Sequence, residues 1–261
     1  MRFDRMSGLD SGQLDELEER VAALLGSPWD SGTCRPKELT LREAIIVSSG
    51  YTRQNIIEDV WAEIFDTSQP TISRIITRIT PLIEKATAEF RPDAECAKAA
   101  ARGQTVLVDG FLAPCWSWRG APGLWSGKHK TTGFNSQVVS DLAGNVIFVS
   151  EPVTGHNHDM TALSETETAE VIAAAFSGIG DKGYQGSGYI TPIKKPRYRE
   201  LLEWEKEFNA DVSRLRAPVE RAIAHIKSWR ILHTDYRRPL RTYLTSFRAA
   251  IGLYFFKLAY E

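Results

Sequence analysis

Apolar residues recur at helical spacing in the first third of the chain and at strand spacing in the middle. Leu14, Leu17, Val21, Leu24 and Leu25 mark one face of an amphipathic helix from Gln13 to Leu25, which Gly26-Ser27-Pro28 ends. Thr40 with Glu43 three residues on has the form of a capping box and opens a second helix, predicted to stop at Gly50. A third, from near Thr52 or Asn55, carries Ile56, Ile57, Val60, Trp61, Ile64 and Phe65. A fourth follows Asp66-Thr67 with Ser68 as N-cap, buries Ile72, Ile75, Ile76 and Ile79, and is ended or kinked by Pro81. Helix, short turn and Ser/Thr/Arg-rich helix is the sequence form of a helix-turn-helix. The plainer alternative is an αα-hairpin that only packs. Gln69, Thr71, Ser73, Arg74, Thr77 and Arg78 remain for the outer face, and these types suit base edges and phosphates.

From Gln104 the period changes. Thr105 to Phe111 is a β-branched run that meets Asp109 and Gly110, the pattern of a buried strand with a carboxylate where it reaches solvent. Trp116 to Trp125 reads as a loop, Thr132–Ser140 and Val146–Ser150 as further strands, and the Asp141–Asn145 turn joins them into an antiparallel meander. A helix from Met160 to Phe176, a short strand Gly178–Gly180 and a fifth strand over Tyr189–Ile193 are predicted next. The remainder, from about Arg199, is expected to be helical with breaks near Asn209 and between His233 and Leu240. This element order predicts an α/β protein: an RNase H-like mixed sheet flanked by helices, preceded by a small all-α helix-turn-helix domain. The expected division is an acidic helical segment over 1–37, the helix-turn-helix domain over 38–90, a linker over 91–103 and the α/β domain over 104–261.

The composition is that of an ordinary globular chain: 43% hydrophobic and 25% charged over 261 residues. No apolar run is long enough to span a bilayer, and the N-terminus lacks a signal-peptide core, so a cytoplasmic, nucleoid-associated protein with no membrane partner is expected. Cys34, Cys96 and Cys115 form no CxxC pair and read as reduced thiols. The net charge of −1 hides an asymmetry. Residues 1–30 carry three arginines against seven acids, whereas residues 194–241 carry thirteen Lys/Arg against seven Asp/Glu. A basic stretch of that kind suits a polyanion or a solvated helical face of mixed charge.

Three stretches bear candidate chemistry: Val108-Asp109-Gly110, Gly180-Asp181-Lys182-Gly183-Tyr184-Gln185-Gly186, and Arg216 to Lys227 around Glu220. Phosphodiester cleavage by two cations needs a few carboxylates converging from rigid elements. Asp109 and Asp181 would be neighbours if their strands pair, and Pro218 is expected to place Glu220 in the first turn of a helix, with Lys227 two turns on along the same face. Together the three stretches resemble the catalytic core of DDE transposases from bacterial insertion sequences, nearest the branch shared with Harbinger-type elements. The spacing Arg216, Glu220, Lys227 is the most specific part; Ser213 stands where the family often has Tyr.

The resemblance implies a transposase that binds its element's terminal inverted repeats and performs metal-dependent strand cleavage and transfer. It implies a catalytic and metal-binding triad of Asp109, Asp181 and Glu220, with Asp159 as a rival or additional ligand, and two Mg²⁺ ions with Mn²⁺ as a substitute. The expected partner is double-stranded DNA, held by a homo-oligomer, with no small-molecule cofactor. DNA contacts are expected from Gln69, Thr71, Ser73, Arg74, Arg78, Lys128, Lys130, Arg216, Arg221 and Lys227. Within His156-Asn157-His158-Asp159, zinc binding is a weaker reading for want of a fourth ligand, and Asp159 could simply cap the next helix. Two other functions fit the same sequence: a helix-turn-helix regulator with an inactive second domain, and an RNase H-like nuclease that cuts without joining.

Overall fold

The computed structural model describes residues 4–29, 39–116, 121 and 123–261, so Cys34 and much of the Trp116–Trp125 loop lie outside the described residues. In chain order the helices and strands are α1 (Asp4–Ser7), α2 (Ser11–Leu24), α3 (Leu41–Gln54), α4 (Glu58–Ile64), α5 (Gln69–Ala86), α6 (Ala94–Ala101), β1 (Thr105–Pro114), β2 (Trp125–Ser126), β3 (Thr131–Ser140), β4 (Val146–Val149), β5 (Val153–Thr154), α7 (Asp159–Glu165), α8 (Thr168–Ala173), β6 (Ser177–Ile179), α9 (Glu203–Ile226) and α10 (Tyr243–Ala259). They form two compact units. The first holds residues 1–91 together with 227–261, and the second holds residues 92–226. The stretch expected as a linker is thus largely helix α6, capped by Asp93, and the C-terminal helix belongs with the N-terminal ones. No helix among the described residues is long and apolar enough to cross a membrane.

The first unit is all-helical. Thr40 caps α3 through the reciprocal bonds with Glu43 that the sequence predicts. The helix does not stop at Gly50; it runs on to Gln54 and ends at Asn55, whose φ of 47° is a left-handed conformation that Asn tolerates. Gly50 serves close packing instead. A Cβ there would lie 2.4 Å from the Trp61 ring of α4. Asn55 also holds the C-terminal segment, donating to Thr234 Oγ1 at 2.7 Å and to the Asp235 carbonyl at 3.1 Å. Pro81 lies inside α5 and does not end it. Helix α10 is buried along most of its length and packs against α5, which makes it the apolar centre of this unit.

The second unit is a mixed sheet with helices. Its strand order is β2-β3-β1-β6, with β4 and β5 also paired to β3. β1, β3 and β4 form the predicted antiparallel meander, and β6 adds parallel to β1. Val106, Val108, Val139, Phe148, Leu163, Val171 and Ile172 share a core with Ala97 and Ala101 of α6. The single helix expected over Met160–Phe176 is divided into α7 and α8, and the fifth strand is reduced to one bridge between Ile179 and Ile190. No break occurs near Asn209: α9 is continuous, and the Asn209 side chain reaches out to bond both the N–H and the carbonyl of Ile193. At the start of α9, buried Glu205 accepts two bonds from the Arg199 guanidinium, at 2.6 and 2.7 Å, and one from the Leu202 N–H at 2.7 Å.

Two measurements check this packing. Helix propensity alone would make Gly50→Ala stabilising by about 1 kcal/mol. The Trp61 contact reverses the sign, and the variant should lose about 1–3 kcal/mol in urea unfolding. Arg199 and the Leu202 N–H hold the Glu205 carboxyl down at about 2. A depressed carboxyl stabilises the fold above its unfolded value of about 4.3, and that contribution is lost as pH falls toward 2. Glu205→Gln should therefore melt lower than wild type at pH 7, with the gap closing progressively below about pH 4.

Candidate active site

The site begins with strand register. β1 and β6 pair in parallel as Thr105 with Ser177, Val106 with Gly178 and Leu107 with Ile179. The first pair is also joined by a 3.0 Å bond between the Thr105 and Ser177 hydroxyls. The pairing ends at Leu107 and Ile179, two residues short of Asp109 and Asp181, and the two acids are close enough that the Asp181 charge raises the Asp109 carboxyl. Asp109 is not at the end of its strand as the sequence suggested, because β1 continues to Pro114 along β3. It lies just past the point where β6 stops, so one edge of the strand is open there. Asp181 remains extended, and its Oδ1 accepts the Gly183 N–H at 2.7 Å, closing the short turn Lys182–Tyr184.

Strand alternation turns Asp109 and Gly110 to opposite faces. On the Asp109 side stands α9. Buried Arg216 donates to Asp109 Oδ2 at 2.8 Å, and its other terminal nitrogen is 3.6 Å from Glu220 Oε1 one turn along. Arg216 therefore links Asp109 to Glu220 and is turned away from solvent. Glu220 itself is exposed and lies late in α9, because Pro218 sits inside the helix and not at its start. A proline there forgoes one backbone hydrogen bond, and the rest of the long helix absorbs the loss. Lys227 falls one residue beyond the end of α9.

On the Gly110 side is Asp159, the first residue of α7 and buried. It is not the cap, since His158 occupies that position. Its backbone carbonyl accepts from Gln137 Nε2 at 2.8 Å, and the same nitrogen is 3.2 Å from the buried Tyr184 hydroxyl. Glycines bring these parts close. A Cβ on Gly110 would lie 3.0 Å from Asp159 Oδ1, and one on Gly183 would lie 2.5 Å from Asp159 Oδ2 and 2.8 Å from Asp181 Oδ1. Asp159 and Asp181 thus flank one point. Lys128 lies over it, with Nζ 2.8 Å from Asp159 Oδ2 and 3.9 Å from Asp181 Oδ2.

Electrostatics follow from this crowding. Burial pushes the Asp109 carboxyl up to about 6 and Asp181 adds to the rise, although Arg216, the Gly110 N–H and Lys128 pull the other way. Burial lowers Lys128, but Asp159, Asp181 and Asp109 outweigh it and the net shift is upward, so the ammonium is charged at neutral pH. Burial and the three aspartates keep the Tyr184 phenol protonated.

As the side chains lie, no three His, Cys, Asp or Glu form a ready cage for an ion among the described residues. The donor chemistry nevertheless fits a hard divalent cation. The nearby acids offer only carboxylate oxygens, burial raises the Asp109 carboxyl, and Lys128 and Arg216 stand beside the acids. Zinc is not favoured by the His156 ring, whose Nδ1 is engaged by Thr154 Oγ1 at 3.0 Å and the Gly123 carbonyl at 2.9 Å.

The other residues named for DNA stand in different places. Lys130 and Arg221 are exposed. On α5, Arg74 is exposed, whereas Arg78 lies 4.8 Å from the Trp29 ring and Gln69 donates to Glu58. The Thr71 hydroxyl is 3.0 Å from that of Ser68. The Ser73 carbonyl accepts from Thr77 at 2.7 Å, and Arg238 donates to the Thr77 hydroxyl at the same distance. Sequence reasoning missed the Lys128 ion pair and the Gln137–Tyr184 bond. The signals were a lysine in a tight turn and a glutamine two residues from Val139 along the same strand.

Asp109 in β1, Asp181 just past β6 and Glu220 on α9 are the carboxylates that the sequence named for the site. The sequence model of the DDE superfamily endonuclease family matches residues 108–254, and the chain belongs to that family. The chain is 28% identical to the transposase assigned to insertion sequence element IS112 of Streptomyces albus G, over 76% of this chain and 73% of that protein. It is 38% identical to the transposase assigned to insertion sequence element IS702 of Microchaete diplosiphon, over 31% of each. No solved structure matches the chain at a significant level.

The two glycine contacts yield a prediction. Gly183→Ala should leave the circular dichroism spectrum intact but lower cleavage of duplex DNA by more than about tenfold, because a shift of about 1 Å in a catalytic group can cost up to a hundredfold.

Proposed function

We propose that the protein is the transposase of an insertion sequence, which binds the element's terminal inverted repeats and cuts and joins DNA at Asp109, Asp181 and Glu220. The observation that supports this most is the parallel pairing of β1 and β6, from which both chains run on toward Asp109 and Asp181. The meander with a parallel fourth strand agrees with an RNase H-like domain. α4, the short turn and α5 would serve as the helix-turn-helix, with Arg74 free to meet DNA and Arg238 supporting the outer face of α5 from within the same unit.

Asp109, Asp181 and Glu220, with Asp159 at the flank, would hold two Mg²⁺ ions, or Mn²⁺ in their place, which when bound activate water and carry charge at phosphorus. The protein's own groups do the rest. The strands fix Asp109 and Asp181, so little reorganisation is needed when substrate arrives. Arg216 orients Asp109 through its 2.8 Å bond and offsets part of its charge. Glu220, exposed one turn from Arg216, is free to swing inward. Lys130, Arg221 and Lys227 would meet phosphates, with Lys128 reaching them when it leaves the aspartates. Hydrolysis and strand transfer are both in-line displacements at phosphorus, so one constellation serves both, and two DNA ends brought together imply a homo-oligomer on DNA.

The test is a labelled duplex carrying the element's ends, incubated with protein and Mg²⁺. Asp109→Asn, Asp181→Asn and Glu220→Gln should each reduce cleavage by more than about a hundredfold, the scale of losing one charge-stabilising group. All three should still bind the duplex. Cleavage equal to wild type in all three would remove the site assignment. Binding by wild type with no metal-dependent cleavage would indicate a regulator, and cleavage without joined products a nuclease.

A further inference from the structure

Lys128 is placed against two of the carboxylates, Asp159 and Asp181, at once. It comes from the turn between β2 and β3, where the Lys130 N–H bonds the Ser126 carbonyl at 2.8 Å and the His129 N–H bonds Ser126 Oγ at 3.3 Å. Lys130 takes a φ of 55° to close that turn, so the root of the Lys128 side chain is fixed. The side chain itself is 51% exposed, against 10% for Asp159 and 25% for Asp181. The ammonium therefore lies on the solvent side of the pair, across the way in, and can leave by rotation of its own stem. Asp159 cannot move aside to the same degree, since its backbone is held by Gln137 and its carboxylate is close to Gly110 and Gly183.

We propose that Lys128 is a built-in counter-cation that competes with a divalent cation for the Asp159–Asp181 pair, so that the metal enters only as the ammonium swings out toward the DNA backbone. The idea rests on the proposed metal-dependent reaction but adds a distinct device: the charge of the resting site is partly offset by the chain itself. Asp159 is buried, and a buried acid without a partner is costly, so a cation beside it stabilises the site when no metal is bound. An ammonium does this with a single charge and no fixed coordination geometry, which keeps the exchange reversible. Once released, the same charge lies within a side chain's length of the reacting phosphate, where a positioning role follows naturally.

The experiment measures binding and not turnover. Terbium luminescence and Mg²⁺ competition are read for wild type, Lys128→Met, Lys128→Arg and Asp181→Asn, none with DNA present. Lys128→Met should bind cations at least about tenfold more tightly than wild type, the coupling of one close charge pair. Lys128→Arg should stay near wild type, and Asp181→Asn should lose the signal. In wild type the ammonium ¹H–¹⁵N resonance of Lys128, protected by its bond to Asp159, should broaden away as Mg²⁺ is added; this needs no variant to fold. Unchanged or weaker binding by Lys128→Met, or a resonance indifferent to Mg²⁺, would overturn the exchange while leaving the triad standing if Asp181→Asn still abolishes cleavage. No binding to wild type or Lys128→Met would overturn both.

Discussion

Carboxylates held together by a sheet repel one another, and the second unit is arranged around that repulsion. β1 and β6 pair up to two residues before Asp109 and Asp181, and α7 brings Asp159 to the Gly110 face close to Asp181. Each acid is then met by a cation of the chain, Arg216 for Asp109 and Lys128 for the other two. Two cations stand against three acids, and burial raises the Asp109 carboxyl despite Arg216. A centre of that kind would suit a divalent cation.

The two compensating cations differ in kind. Arg216 is buried, planar and anchored on a long helix, so its contact with Asp109 is structural as well as electrostatic. Lys128 is half-exposed on a turn and has a flexible stem. The first suits permanent orientation of a ligand, and the second suits exchange. The glycines at 110 and 183 contribute space: the acids approach the backbone where any side chain would push them off.

In the first unit the governing constraint is close packing. Gly50 reads as a helix stop in sequence because glycine often ends helices. Here it lies under the Trp61 ring inside α3, and the true stop is Asn55. The outer face of α5, which looks entirely free in sequence, is partly engaged by Arg238 from a segment some 160 residues away. Proline misled twice for a related reason: Pro81 and Pro218 both sit inside helices long enough to absorb one missing hydrogen bond.

Local chemistry was legible in the residues alone. The β-branched run before Asp109, the Thr40–Glu43 capping box, the meander and the order of the three acid-bearing stretches all follow from side-chain preferences acting over a few residues. What the tertiary structure decided was everything that depends on contacts across the chain. That the strands leading to Asp109 and Asp181 pair in parallel is a matter of register between segments separated by the meander and two helices. That Arg216 serves Asp109 and not a phosphate depends on which face of α9 meets the sheet, and that Lys128 guards two acids depends on where a turn projects. Sequence periodicity states which face of an element is apolar; which partner covers that face is set by the balance of burial and charge in the folded chain.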